Sequence, residues 1–236
     1  MKKNNLLHVS DTHAQELSLI IPDNIDIICH TGDESNYWQV ALNENEFFNF
    51  IDWYSKLNIK HKLFIPGNHS SYVYKYEKEA RRICKENNII FLHKEEITIN
   101  GLKYYGDATT PTFGEWFYMC NRGTIVRHWE QIPDDTNVLL VHGPAKNTLD
   151  LSFDRMNNLE FCGCSALAKR INNLKDIKLV LNGHIHNMRS CNNQGVLYRN
   201  GVIYSNASCV TDGIIESGVT SHGNLFEINN KEIKII

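Results

Sequence analysis

Five times along this chain a short apolar run stops at a compact group of carboxylate, amide or imidazole side chains, and in four of the five groups a glycine stands among them. In order the groups are Asp11-Thr12-His13, Gly32-Asp33, Gly67-Asn68-His69, His142-Gly143 and Gly183-His184-Ile185-His186. The runs before them are Leu6-Val9, Ile25-Cys29, Lys62-Ile65, Val138-Val141 and Lys178-Leu181. A short continuous apolar run bounded by polar loops reads as a strand buried on both faces. In open sheets with helical crossovers, ligands gather beyond the carboxyl ends of the strands. The five loops are therefore expected to converge on one site.

Helical spacing of Phe47, Phe48, Ile51, Tyr54 and Leu57 predicts a helix over Glu44-Leu57, and two more are expected over Tyr74-Glu86 and Ala166-Asn173. Asn100-Gly101 and Asn200-Gly201 predict hairpins between Glu96-Ile99 and Leu102-Tyr105 and between Val196-Tyr198 and Val202-Tyr204. A last hairpin is expected to join Leu225-Ile228 to Lys231-Ile235 through Asn229-Asn230. Strand-helix alternation followed by hairpins suggests mixed sheets packed together with helices outside. Asp107-Arg127 and Pro144-Cys164 fit neither period and read as functional loops. No linker interrupts the 236 residues, so residues 1–236 are expected to form a single domain, and 42% hydrophobic residues suffice for its core.

A net charge of -3 gives no overall basic field to draw in nucleic acid, although bound cations can dominate the local charge of a site. The apolar run after Met1-Lys2-Lys3-Asn4-Asn5 is broken by His8, Ser10 and Asp11, too soon for a secretory signal or a membrane span. Seven cysteines without a CxxC pair read as reduced thiols. A cytoplasmic protein with no membrane partner is the expectation.

Carboxylates together with neutral imidazoles suit manganese, iron, zinc and similar ions, whereas magnesium or calcium alone would call for nearly all oxygen. Two ions roughly 3.5–4 Å apart need a shared anionic bridge, which one Asp can supply. Taken singly, each of these residues has an ordinary explanation as a helix cap, a turn residue or a hydrogen-bonded loop histidine. Their joint occurrence at successive strand ends favours metal binding.

The ordered set D-x-H, G-D, G-N-H, H-G, G-H-x-H, running from Asp11 to His186, resembles the calcineurin-like metallophosphoesterase superfamily. The segments HVSDTHAQ, CHTGDES, FIPGNHS, LLVHGPA and YSNAS resemble its small metallophosphatase-domain branch, which includes class III cyclic-nucleotide phosphodiesterases. The resemblance implies an α/β (α+β) fold, a four-layer sandwich of two mixed β-sheets flanked by helices. It implies two divalent metal ions, the first held by Asp11, His13, Asp33 and His186, the second by Asp33, Asn68, His142 and His184, with Asp33 as the bridge. It further implies that a hydroxide between the ions attacks phosphorus and that His69 protonates the leaving group or contacts the phosphate. Ser70 departs from the pattern, since Asp or Glu more often follows the histidine, and it offers only a neutral hydrogen bond. The activity implied is hydrolysis of small phosphodiesters or phosphomonoesters, nucleotides and cyclic nucleotides among them. A nuclease of the same superfamily and a non-catalytic metal-binding scaffold are the rival readings.

Outside the motifs, His8 and His30 read as structural, and His61, His93, His128 and His222 carry no motif support. Phe113, Trp116, Arg122 and Arg127 form either a substrate-facing wall or a loop pinned by its aromatics. Asn206 and Ser208 either approach the metals or close a strand, and Cys162-Gly163-Cys164 reads as a turn of structural thiols.

Overall fold

The computed structural model of the chain describes residues 3–154, 156–188, 191–212 and 217–236, so the opening pair Met1-Lys2 of the amino-terminal reading lies outside the described residues. Two six-stranded sheets dominate it. Their strands are β1 (Asn4–Val9), β2 (Ile27–His30), β3 (His61–Phe64), β4 (Ile89–Phe91), β5 (Glu95–Ile99) and β6 (Leu102–Asp107). The chain continues with β7 (Val138–Val141), β8 (Leu179–Asn182), β9 (Gly195–Arg199), β10 (Val202–Asn206), β11 (Asn224–Asn229) and β12 (Glu232–Ile235). The helices are α1 (Val40–Lys56), α2 (Ser71–Lys75), α3 (Glu77–Glu86), α4 (Val126–Trp129) and α5 (Ser165–Asn173). The first sheet runs β12-β11-β1-β2-β3-β4 and the second β9-β10-β8-β7-β6-β5. In the first, β1 to β4 are parallel; in the second, β6, β7, β8 and β10 are parallel, and antiparallel strands complete both.

Side chains alternate across each strand, which assigns the core to three layers. Leu6, Ile27 and Leu63 face Val138, Leu140 and Leu179 between the sheets. Their neighbours Leu7, Ile28 and Phe64 pack outward against Phe47, Phe50 and Tyr54 of α1. On the far side, Leu139, Val141 and Val180 pack against Trp129 of α4 and against Leu167 and Ile171 of α5. The result is the sandwich of two mixed sheets flanked by helices.

Helix α1 starts four residues before the expected Glu44, and its buried stripe is Asn43, Glu46, Phe47, Phe50, Ile51 and Tyr54. Phe48 is 43% exposed, so Phe50 holds the core position that the apolar spacing assigned to Phe48. The stretch expected as one helix from Tyr74 to Glu86 is divided at Tyr76 (φ -123°, ψ 42°). Both Asn-Gly turns have the positive φ pair of tight hairpins, whereas the last turn falls one residue later than expected, at Asn230 and Lys231. The two irregular segments carry only small ladders, Thr110–Pro111 with Met119–Cys120 and Leu151–Phe153 with Leu159–Phe161. All seven cysteines are free, and among the described residues no helix is long and apolar enough to cross a membrane.

His8 ties the sheets together. Its Nδ1 lies 2.7 Å from Ser205 Oγ on β10 and its Nε2 2.9 Å from Thr31 Oγ1 beyond β2. Burial and then the nearby His30 push its imidazole from the ordinary 6.5 down to about 3, against the pull of Asp11. The folded chain thus keeps His8 neutral while the unfolded chain protonates it. Its contribution to stability is fully present above pH 6.5 and is lost as the pH falls toward 3. Between about pH 7 and about pH 5 the linkage amounts to about 2 kcal/mol. Urea unfolding in the presence of chelator should therefore show a smaller acid loss in His8→Gln than in the parent, and equal losses would remove His8 from this account.

Candidate metal centre

Each of the five polar groups follows the carboxyl end of a parallel strand, after β1, β2, β3, β7 and β8 in turn. Asp11, His13, Asp33 and His184 all have left-handed backbone, with φ of 51°, 43°, 54° and 68°. That conformation is costly for a residue bearing a Cβ, and its gathering in three neighbouring loops is typical of functional sites. It reverses the chain directly after the strand and so keeps the polar group at the sheet edge.

Two clusters form. In the first, Asp11 Oδ1 lies 3.0 Å from His186 Nε2, which lies 3.4 Å from His13 Nε2. In the second, His142 Nε2 lies 3.2 Å from Asp33 Oδ2 and 2.9 Å from Asn68 Oδ1, and His184 completes a group with Asp33 and His142. Asp33 Oδ2 is also 4.0 Å from His13 Nε2, so Asp33 stands between the clusters. Within each of the sets Asp11/His13/His186, His13/Asp33/His69 and Asp33/His142/His184, the potential ligand atoms lie within 4.8 Å of one another. All eight residues singled out from the sequence are thus brought together.

The electrostatics suit a cation. Burial opposes ionisation of Asp11 and Asp33, yet the hydrogen bond and charge of His186 for Asp11, and above all His142 for Asp33, hold both carboxyls below the usual carboxylate range. Burial pushes His13 down to about 4 and His184 to about 3, which leaves their ring nitrogens free of a second proton. His142 goes the other way. Burial lowers it, but the charge and hydrogen bond of Asp33 lift it to about 9, so its proton is the counter-charge that Asp33 draws to itself. A divalent ion beside Asp33 would displace that proton. The donor set of two carboxylates, one carboxamide and several imidazoles fits a transition-metal ion.

Supporting contacts fix the carboxylates. Asp11 accepts the His184 N–H at 2.9 Å and the Ser208 hydroxyl at 3.1 Å, and Asp33 Oδ1 accepts the His69 N–H at 2.7 Å. Asn206 Nδ2 donates to the Ile185 carbonyl at 2.9 Å, so the YSNAS segment both closes β10 and braces the site. At Gly183 a Cβ would run into Asp11 Oδ2 and Ser10 Oγ, which explains why glycine precedes His184.

His69 Nδ1 lies 3.0 Å from the Asn36 carbonyl oxygen. A carbonyl only accepts, so Nδ1 carries a proton and Nε2 is the nitrogen left for the cleft. The ring sits between the edge of His13 at 4.7 Å and the Trp116 ring at 4.2 Å. Ser70 does not orient it: its hydroxyl donates to Glu34 Oε2 at 2.7 Å and accepts the Gly67 N–H at 2.8 Å. Burial pushes the Glu34 carboxyl up to about 7 against its serine hydrogen bonds.

The cleft over the clusters measures 850 Å³, and Trp116 and Phe113 are among the residues that line it. Phe113 stacks obliquely at 5.1 Å from His184. Arg122 instead pins its loop, donating to the carbonyls of Cys162 at 2.7 Å and Gly163 at 3.2 Å, and Arg127 is exposed. The thiols are structural: Cys162 donates to the Asp150 carbonyl and Cys164 accepts from Trp129 Nε1. Sequence reasoning passed over the Asn36 carbonyl, which no side-chain pattern announces. It also passed over buried Asp107, with His93 at 3.5 Å and His128 at 3.9 Å.

Comparisons with known proteins place the chain among relatives of one family. Human metallophosphoesterase domain-containing protein 1 is 27% identical over 225 residues, covering 86% of this chain and 65% of its own length. The UPF0046 protein K07C11.7 of Caenorhabditis elegans is 27% identical over 217 residues, covering 87% of this chain and 69% of its own. The chain thus spans about two thirds of the length of these relatives. One solved crystal structure matches along 100% of this chain and 99% of its own with a TM-score of 0.65 at 14% identity. The phosphopantetheinyl hydrolase PptH of Mycobacterium tuberculosis matches 86% of this chain and 88% of its own with a TM-score of 0.57 at 12% identity. A family model described as calcineurin-like phosphoesterase matches residues 5–188, and with motifs, fold and site in agreement the chain belongs to that family.

Proposed function

We propose that the chain is a dinuclear metal-dependent phosphoesterase for small phosphodiesters or phosphomonoesters. The observation that carries the reading is the position of Asp33, buried and within 4.0 Å of both His13 and His142, where one carboxylate can serve two ions. Asp11, His13 and His186 would hold the first ion with Asp33, and Asn68, His142 and His184 the second. Manganese, iron and zinc suit these donors. When bound, such a pair supplies a nucleophile at neutral pH and neutralises charge on the phosphoryl group.

The chain's own side chains do the rest. His69, with Nδ1 engaged by Asn36, offers Nε2 to the oxygen of the leaving group. Trp116 and Phe113 provide flat surfaces beside His69 and His184 against which a planar ester group can lie, which favours nucleotides and aryl esters. A cleft of 850 Å³ suits a small substrate rather than a polymer.

Elemental analysis joined to a panel of nucleotides, cyclic nucleotides and chromogenic phosphodiesters tests the reading. Two transition-metal ions per chain with turnover of a diester are expected; protein that holds no metal and gains none would favour the scaffold alternative. Asp33→Asn should lower turnover on the order of 10²-fold or more, because the bridge loses its charge. Near-parental rates with manganese would refute the bridging role. Gly183→Ala should lower bound metal with the far-ultraviolet spectrum preserved, since its methyl group displaces Asp11. Full metal content in that variant would show that the close approach is not needed.

A further inference from the structure

His69 owes its orientation to a backbone carbonyl, so whatever fixes that carbonyl fixes the imidazole. Asn36 lies in the loop between β2 and α1, and two side chains of α1 hold the loop. Glu46 Oε2 accepts the N–H groups of Asn36 at 2.8 Å and Tyr37 at 2.9 Å. Asn43 Nδ2 donates to the Tyr37 carbonyl at 2.8 Å and to the carbonyl of His69 itself at 2.8 Å. Asn43 Oδ1 accepts the Tyr72 N–H at 2.9 Å. One carboxamide therefore joins three backbone segments: the loop whose carbonyl orients His69, the backbone of His69, and the start of α2.

Asn43 is fully buried, and both of its N–H donors and its oxygen are engaged. It does not cap its own helix, since α1 has no side-chain cap hydrogen bond at its amino terminus, and its oxygen instead takes the Tyr72 N–H in the first turn of α2. Asn43 and Glu46 stand three residues apart, on one face of α1. Neither belongs to the clusters around Asp11 and Asp33.

We propose that Asn43, backed by Glu46, is a positioning residue for His69: it locks the Asn36 carbonyl against Nδ1 and so presents Nε2–H to the leaving oxygen. The inference rests on the reading of His69 as the proton donor of a phosphoesterase. In that step the bond from phosphorus to the leaving oxygen breaks, the oxygen keeps the electron pair, and the proton on His69 Nε2 passes to it. The donating ring is the imidazolium, protonated at both nitrogens, and the transfer leaves it neutral with its remaining proton on Nδ1, hydrogen-bonded to the Asn36 carbonyl. Asn43 touches neither substrate nor ion.

A donor matters most when the leaving group is a poor one, which separates positioning from general support. The test uses manganese-loaded full-length protein and a series of methyl aryl phosphates whose leaving groups run from p-nitrophenol to phenol. Asn43→Ala should lose roughly tenfold more rate on the phenyl ester than on the nitrophenyl ester, steepening the dependence on leaving-group acidity. His69→Ala should steepen it alike, and the double variant should be no worse than His69→Ala, because residues acting through one another are not additive. Asn43→Asp, which keeps the acceptor for Tyr72 but loses both donated bonds, should behave as Asn43→Ala does and serves if the alanine variant fails to fold. Long-range proton–nitrogen spectra of metal-free protein, taken at a pH where the ring is neutral, give a second readout, with the single proton of His69 on Nδ1 in the parent and mixed between its nitrogens in the variants. A uniform rate loss across the series, an unchanged tautomer, or loss of bound manganese in the Asn43 variants would overturn the proposal while leaving the phosphoesterase standing. If the parent hydrolyses none of the series with metal bound, the functional reading falls first and the proposal with it.

Discussion

Asp11 and Asp33 are ionised carboxylates with essentially no solvent around them, and the surrounding structure is arranged so that they can remain so. Burying an ion costs several kcal/mol unless good partners surround it. Asp11 has the His184 N–H, the Ser208 hydroxyl and His186, and Asp33 has the His69 N–H and His142. A chain selected for stability alone would do as well or better with apolar residues at these positions. Perturbed carboxylates and neutral imidazoles crowded at one cleft mark a site instead, and a divalent cation is the partner that makes the arrangement favourable.

The sandwich is what brings those groups within reach of one another. Asp11, Asp33 and Asn68 follow strands of the first sheet, and His142 and His184 follow strands of the second. Parallel pairing puts the carboxyl ends of β1, β2 and β3 at one edge, and of β7 and β8 at another. The close-packed layer of Leu6, Ile27, Leu63, Leu140 and Leu179 then sets the separation of the two edges. His8 adds a polar tie through that layer, from β1 to Ser205 of β10, directly below the ligand loops. Adjusting the interlayer core therefore shifts half of the site relative to the other half.

The ordered motifs and the strands before them were legible because a strand buried on both faces reads as an unbroken apolar run, and because carboxylate, amide and imidazole groups at successive strand ends have few structural uses together. Much of α1 was not legible for the complementary reason. Asn43 and Glu46 occupy its buried stripe, and polar residues there blur the apolar period from which the helix start and the role of Phe48 were inferred. The break at Tyr76 left no trace, since Ser71–Glu86 contains neither Gly nor Pro. The last hairpin turn slipped by one residue because Asn229 and Asn230 both tolerate left-handed backbone. The surroundings of His69 were hidden as well: a backbone carbonyl, not residue 70, faces its Nδ1, and backbone atoms carry no signature in a sequence.

That last point bears on how the chain divides its labour. The ligand groups are held by the strand ends through hydrogen bonds among the loops themselves, whereas His69 is tied to α1 through Asn36, Asn43 and Glu46. Ser70, where the family more often has an acid, is spent on Glu34 and Gly67 and so keeps the loop of Asn68 in shape. A carboxylate beside the ring would bias its charge directly. A carbonyl, which only accepts, fixes which nitrogen faces it as the donor. The carboxylate and imidazole clusters thus rest on the strand-end loops, while the His69 ring rests on α1, and the His69 N–H on Asp33 Oδ1 is where the two meet.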